Sequence, residues 1–161
     1  TDSIEIKLLK ILYLSLSPQV FSPNGDGVRE TTTITANITY IADWTLDIKN
    51  SSGISVKSFT GSGTAISVTW DGKDNSGNLQ PIGAYSITIT ATEVSSGTVT
   101  SVTDSVTIAF PPTAATNPPT NINGFPSTFN ATVKPNGSET TVYFFWGITS
   151  MYENSTPVQN I

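Results

Sequence analysis

Cysteine and histidine are absent from the 161 residues, and each absence removes a class of chemistry. Without cysteine there is no thiolate nucleophile, no disulfide and no thiolate-bound metal. Without histidine there is no imidazole base of the kind most serine hydrolases use, and no histidine-ligated zinc. Cellular compartment must therefore be read from something other than a cysteine framework. Charge is scarce as well, since Asp, Glu, Lys and Arg make up 12% of the chain against about 25% in an average globular protein. Only seven Lys and Arg stand beside twelve Asp and Glu, for a net charge of -5. No basic footprint exists for nucleic acid or an anionic membrane, and neither is expected as a partner. Long apolar runs are missing too. The densest, residues 8–16, is interrupted by Lys10 and Ser15 and falls short of the roughly 18 residues of a membrane span, so no membrane insertion is expected. The chain begins at Thr1 and its only methionine is Met151, which points to a processed product or a fragment.

What fills the gap is Ser, Thr, Asn and Gly, arranged with a period of two. Residues 31–40 put Ile34, Ala36, Ile38 and Tyr40 on one face and Thr35, Asn37 and Thr39 on the other, the pattern of a half-buried strand. Trp44, Leu46 and Ile48 repeat it, the turn NSSG at residues 50–53 follows, and ISVKSF returns, so residues 44–59 read as a hairpin. Gly61 and Gly63 read as a loop. Ile66, Val68 and Trp70 form another alternating face, as do Tyr85, Ile87, Ile89 and Ala91. In the last series, Val102, Val106 and Ile108, the intruding Asp104 marks a bulge or an exposed end. Residues 4–17 alternate at Leu12, Leu14 and Leu16 before a proline and read as a strand. Short strands separated by turns, with no helical period, predict an all-β sandwich whose core holds Trp44, Trp70 and Tyr85.

Two turn-rich blocks punctuate these strands. Residues 21–30, FSPNGDGVRE, concentrate Pro, Asn, Asp and two glycines, which forces a sharp bend. Residues 70–89, WDGKDNSGNLQPIGAYSITI, join a Trp-Asp-Gly strand end to a Gly-rich turn and a P-x-G-x-Y strand start. In that order they resemble the signature blocks of an immunoglobulin-like module found in the flagellar hook-capping protein and in other secreted and surface proteins of bacteria. The resemblance implies an immunoglobulin-like sandwich over residues 18–110, preceded by an N-terminal strand segment, residues 1–17. Tyr85 stands where a tyrosine-corner residue would.

Residues 111–123 carry four prolines and no apolar alternation, so they read as a stiff extended linker. Beyond them, FNATVKPNGSETTVYFFWG resembles a block of a fibronectin type III-like repeat of bacterial surface proteins. It departs from that block at Phe145 and Trp146, which make one strand more apolar. A complete module of that kind needs about seven strands, so residues 124–161 are expected to form a partial, incomplete fibronectin type III-like β domain.

Few residues invite a chemical role. Asn24 and Asp26, with Glu30 nearby, and Asp71 and Asp74, with Asn75, offer oxygen donors for calcium, but aligned to an EF-type loop Ser22 and Thr33 fall where carboxylates belong. Their expected role is to hold turns by Asx bonding, with no cofactor. The acids lie in turns rather than across a cleft, so no catalytic residue is assigned and the protein is not expected to be an enzyme. Asn37, Asn50, Asn130, Asn136 and Asn154 head N-x-S/T sequons that a chain of this composition produces by chance.

The resemblances imply a non-catalytic spacer or stalk in a secreted or cell-surface bacterial protein, with other domains of the same or neighbouring chains as partners. The alternative is a subunit of a homo-oligomeric extracellular filament or cap. There, the apolar segment carrying Ile4, Ile6, Leu8, Ile11, Leu12 and Leu14 would complete a neighbour's unfinished domain near Val142, Phe144 and Trp146. Carbohydrate binding by exposed aromatic rings ranks below both.

Overall fold

A computed structural model describes residues 8–121, 127–136, 139–147, 151 and 153–161. The described residues are all β, and they divide into two compact units, Thr1–Ala109 and Phe110–Ile161.

The first unit is a sandwich built from one six-stranded hydrogen-bonded sheet: β1 (Ile11–Ser17), β2 (Val20–Phe21), β3 (Thr32–Lys49), β4 (Ser55–Trp70), β5 (Gly83–Glu93) and β6 (Val99–Ile108). Its frame is the long hairpin β3–β4. Asn50 closes that hairpin, its Oδ1 accepting from the N–H groups of Ser52 and Ile54 at 3.0 Å each. The register between β3 and β4 slips between Asn37 and Ala42, and again at the turn end between Ile48 and Lys49. On the opposite side of β3, β1 pairs with Thr33–Ile38 before the first slip and β5 pairs with Ala42–Lys49 after it. A single strand thus serves two layers through a bulge. The expected separate strands at residues 31–40 and 44–48 are consequently one.

Gly61 and Gly63 are not a loop but lie inside β4. Trp44 is opposite Gly61 in the ladder and its ring lies where a Cβ on Gly61 would be, so the missing side chain is what lets the indole lie flat against the strand. Asp104 sits in an unbroken β5–β6 register opposite Ile87, with neither bulge nor strand end, and its Oδ1 accepts from the Ser105 N–H at 2.7 Å.

The core follows the alternation. Ile34, Ala36, Ile38, Leu46, Ile48, Ile66, Ile87, Ile89, Val106 and Ile108 are buried, as are Trp44, Trp70 and Tyr85. Trp70 is the hub: Phe21 meets it edge-on at 5.3 Å and Tyr85 at 5.1 Å between ring centroids. Its indole N–H donates to the Lys73 carbonyl at 2.8 Å, and the Tyr85 hydroxyl donates to the Pro81 carbonyl at 2.6 Å, four residues upstream. That last bond is the geometry of a tyrosine corner.

The second unit contains β7 (Thr113–Thr120), β8 (Thr128–Lys134), β9 (Thr141–Val142), β10 (Phe145–Trp146), β11 (Asn154–Ser155) and β12 (Gln159–Asn160). They pair as three two-stranded ladders, β7–β8, β9–β12 and β10–β11. The stretch read as a stiff linker therefore contains a strand. Pro118 and Pro119 fall in the register slip between Asn117 and Thr120, and among the described residues β7 pairs with β8 alone, so the missing N–H groups break no second ladder there.

Trp70→Ala should cost about 3–5 kcal/mol, as large aromatic truncations in cores do, and Tyr85→Phe about 1 kcal/mol for the lost hydroxyl bond. Urea unfolding followed by Trp fluorescence measures both, and a Trp70→Ala loss below about 1 kcal/mol would contradict its place at the hub.

Candidate functional site

The turn at residues 21–30 is held by its own polar groups. Gly25 and Gly27 adopt φ of 84° and 83°, a left-handed conformation that points successive N–H groups inward. The Glu30 carboxylate receives them, Oε2 from the Gly25 N–H at 3.0 Å and Oε1 from the Gly27 N–H at 2.8 Å. Asn24 Oδ1 accepts from the Asp26 N–H at 3.1 Å and Asp26 Oδ1 from the Val28 N–H at 2.8 Å, while Asn24 Nδ2 donates to Asp26 Oδ2 at 3.0 Å. The Asn24 amide foremost, then the Val28 N–H, hold the Asp26 carboxyl below its ordinary value.

Residues 71–80 repeat this logic. Asp74 Oδ1 accepts from the N–H groups of Ser76 and Asn78 at 2.8 and 2.9 Å, and Asp74 Oδ2 accepts from Asn78 Nδ2 at 3.2 Å. Hydrogen bonding from the Asn78 backbone is the chief reason the Asp74 carboxyl lies below its ordinary value. Asp71 accepts from the Lys73 N–H at 3.1 Å and pairs with Lys73 Nζ at 3.5 Å. The loop also lies against the edge of β4, where the Asn75 N–H donates to the Val56 carbonyl at 3.0 Å. Asn24, Asp26, Asp71 and Asp74 thus each spend side-chain oxygens on local donors. No group of three or more acids gathers among the described residues.

The two turns meet. A Cβ on Gly72 would fall 2.6 Å from Cγ of Pro23, so the Trp-Asp-Gly block presses its bare backbone onto the proline of the first block, beside the contact of Phe21 with Trp70.

The apolar candidates separate. Ile4 and Ile6 lie outside the described residues. Leu8 and Leu12 are exposed, while Ile11 and Leu14 are half-buried. The segment Ile11–Ser17 pairs with β3 of its own chain, so the strand imagined as a donor to a neighbour is already in use. In the second unit Val142 and Phe144 are half-buried and Trp146 is exposed. Phe129 joins them, its ring stacked on Phe144 at 5.7 Å and tilted against Trp146 at 6.1 Å. The sequence signal for Phe129 is its alternation with Ala131 and Val133, weaker than that of the consecutive aromatics at residues 143–146. Phe129 and Phe144, with Tyr143, border an open cleft of about 800 Å³ between the β7–β8 hairpin and the shorter ladders.

Residues 22–95 match the family model described as the FlgD Ig-like domain. A solved structure, dimeric latent PorU from Porphyromonas gingivalis, is similar at 18% sequence identity with a TM-score of 0.49, over 68% of this chain and 10% of that one. The chain thus spans about a tenth of that protein's length. No curated protein matches the sequence.

Because folded Asp26 and Asp74 have lowered pKa values, the stability they contribute is present above the unfolded value near 3.8 and is lost as pH falls through the folded values. Asp26→Asn with Asp74→Asn should flatten the acid limb of a stability profile and leave its neutral part unchanged in slope. Millimolar calcium should leave Tm where it is. A native-state ligand at a hundred times its Kd would add about 2.7 kcal/mol, so a calcium-dependent, chelator-reversible rise in Tm would reassign these side chains as ligands.

Proposed function

From the immunoglobulin-like module of the FlgD kind at residues 22–95, we propose that this chain is a non-catalytic structural segment of a secreted or cell-surface bacterial protein. It serves as a spacer that positions other domains of the same or neighbouring chains. One observation carries the reading: the acidic side chains singled out in the turns are bonded to the backbone and amide donors of those same turns, leaving them committed to shape rather than to a substrate. An active site needs titratable groups converging on a shared space, and here the candidates are spread over two solvent-facing turns. The outward faces support a passive role. Across neighbouring strands Thr60, Thr45, Thr90 and Ser101 stand in one uncharged row, flanked on β3 by Asp43 and Asp47.

The filament reading ranks below this one. Donating residues 11–17 to another chain would first require breaking their ladder with β3, leaving Ile34 and Ala36 without a neighbour on that side.

Antibodies raised against residues 1–109 should label intact, unpermeabilised cells of the source bacterium, and brief surface proteolysis should remove the signal. Labelling only after permeabilisation would place the protein inside and overturn the proposal.

A further inference from the structure

Asp104 is out of phase with the alternation that built the core. It shares a face of β6 with Val102, Val106 and Ile108, the last two buried, and it stands opposite the buried Ile87 in an unbroken register. A carboxylate there gives up the apolar burial that a valine would supply. The place of β6 in the sheet supplies a reason. β5 occupies one side of β6 along its whole length, whereas on the other side β2 pairs only with Thr107 and Ile108, because the chain before Pro18 pairs with β3 instead. On that second side the Thr107 N–H donates to the Gln19 carbonyl at 2.9 Å and the Ala109 N–H to the Phe21 carbonyl at 3.0 Å. Alternate residues of a strand turn their backbone groups to the same side, so the next outward donor is the N–H of Ser105. The ladder has ended there, and it is Asp104 Oδ1 that accepts from the Ser105 N–H, at 2.7 Å.

The outer side of β4 is covered by a comparable device. Among the described residues no strand pairs there, but the loop of residues 71–80 lies along it, the Asn75 N–H donating to the Val56 carbonyl at 3.0 Å and Asn75 Oδ1 accepting from the Ser58 N–H at 3.4 Å. We propose that Asp104 guards the β6 edge against pairing with the same edge of a second copy of this chain. A strand laid along Ser101–Ser105 would need the Ser105 N–H for its own ladder and would cover the Asp104 carboxylate, taking from it both its bond and its water. Asp104 is the one charged residue of β6, so without it the strand would present an uncharged edge with open donors, which is a template for sheet extension. This role belongs to the folded unit and does not depend on the spacer reading.

Asp104→Val in the 161-residue chain tests this. The variant should keep a urea midpoint no lower than that of the wild type. In sedimentation velocity it should associate more tightly than the wild type by about tenfold or more, because an unpaired charge buried in a contact costs at least that much. Amide hydrogen exchange should place the contact, with new protection at Ser101, Thr103 and Ser105. Asp104→Lys loses the bond to Ser105 but keeps a charge on that face, and should sediment as the wild type does. Adding Ser105→Pro to Asp104→Val removes the outward N–H, which Ser105 turns away from β5, and should abolish the gain. The proposal is overturned if Asp104→Val sediments as the wild type at every concentration, or if its urea midpoint falls, which would make Asp104 a stabiliser of the fold. It is equally overturned if the associated variant shows no new protection on β6, if Asp104→Lys associates as strongly, or if the added proline leaves association intact.

Discussion

Everything that distinguishes the first unit from a generic sandwich converges on the surroundings of Trp70. An indole is costly to bury unless its N–H finds an acceptor, and the Lys73 carbonyl at 2.8 Å supplies one only because the chain turns back at once after the strand. Gly72, with φ of 74°, makes that turn, and its lack of a side chain admits Pro23. Phe21 and Tyr85 then close on the ring from two directions. Trp44 is a useful contrast. It too is buried, but its Nε1 has no hydrogen-bond partner, so it fills space over Gly61 without fixing the direction of the chain around it.

This arrangement gives a physical reason for the pairing of the two turn-rich blocks, whose contacting residues, Phe21 with Trp70 and Pro23 with Gly72, stand 49 positions apart in sequence. Each is incomplete alone. The first contributes Phe21 and Pro23, the second Trp70 and Gly72, and the contact is aromatic on aromatic and proline on bare backbone. Replacing Gly72 by any larger residue would strain its own backbone and displace Pro23 at once, and loss of Pro23 would leave the Gln80 N–H bond to the Gly72 carbonyl, at 2.8 Å, to order the turn without the ring packed on it. The carboxylates of Glu30, Asp26 and Asp74 act one step further out. They receive the N–H groups that the glycine turns expose, so the backbone can keep shapes whose donors would otherwise be left without partners.

The parts of this molecule that were legible in its sequence are those governed by local rules. Period-two alternation located the strands and their buried faces, and the position of Tyr85 after Pro81 and Gly83 indicated its corner before the hydroxyl bond was visible. The bulge that joins residues 32–49 into one strand was not legible, because the intervening Tyr40 and Ile41 interrupt the alternation just as a loop would. Gly61 misled for a related reason: glycine in a strand and glycine in a loop look alike until the ring that occupies the vacant volume is known. The strand Thr113–Thr120 was hidden by its prolines, whose prohibition applies to a strand with two neighbours and not to one with a single neighbour. In the candidate site, the Asx role of Asn24, Asp26 and Asp74 followed from residue type and spacing. The capping of Gly25 and Gly27 by Glu30 depends on how the loop closes, which spacing alone does not specify.

The scarcity of charge acquires a structural meaning in this setting. A sandwich must show water one full face of every strand, and here those faces are furnished with Thr and Ser, whose β-branched or small side chains suit a pleated surface while keeping it wet. Asp47 on β3 meets Ser55 and Lys49 rather than a substrate-like cavity, and Thr88 and Thr103 bond each other across β5 and β6 at 2.9 Å. Such a surface gives a charged ligand little to hold. The task of keeping the molecule from association falls to its net charge of -5 and to the burial of its aromatic residues. In the first unit Phe21, Trp70 and Tyr85 are enclosed and the task is done. In the second unit Phe129 touches both Phe144 and Trp146, yet among the described residues these rings are not enclosed, so their apolar area still faces water.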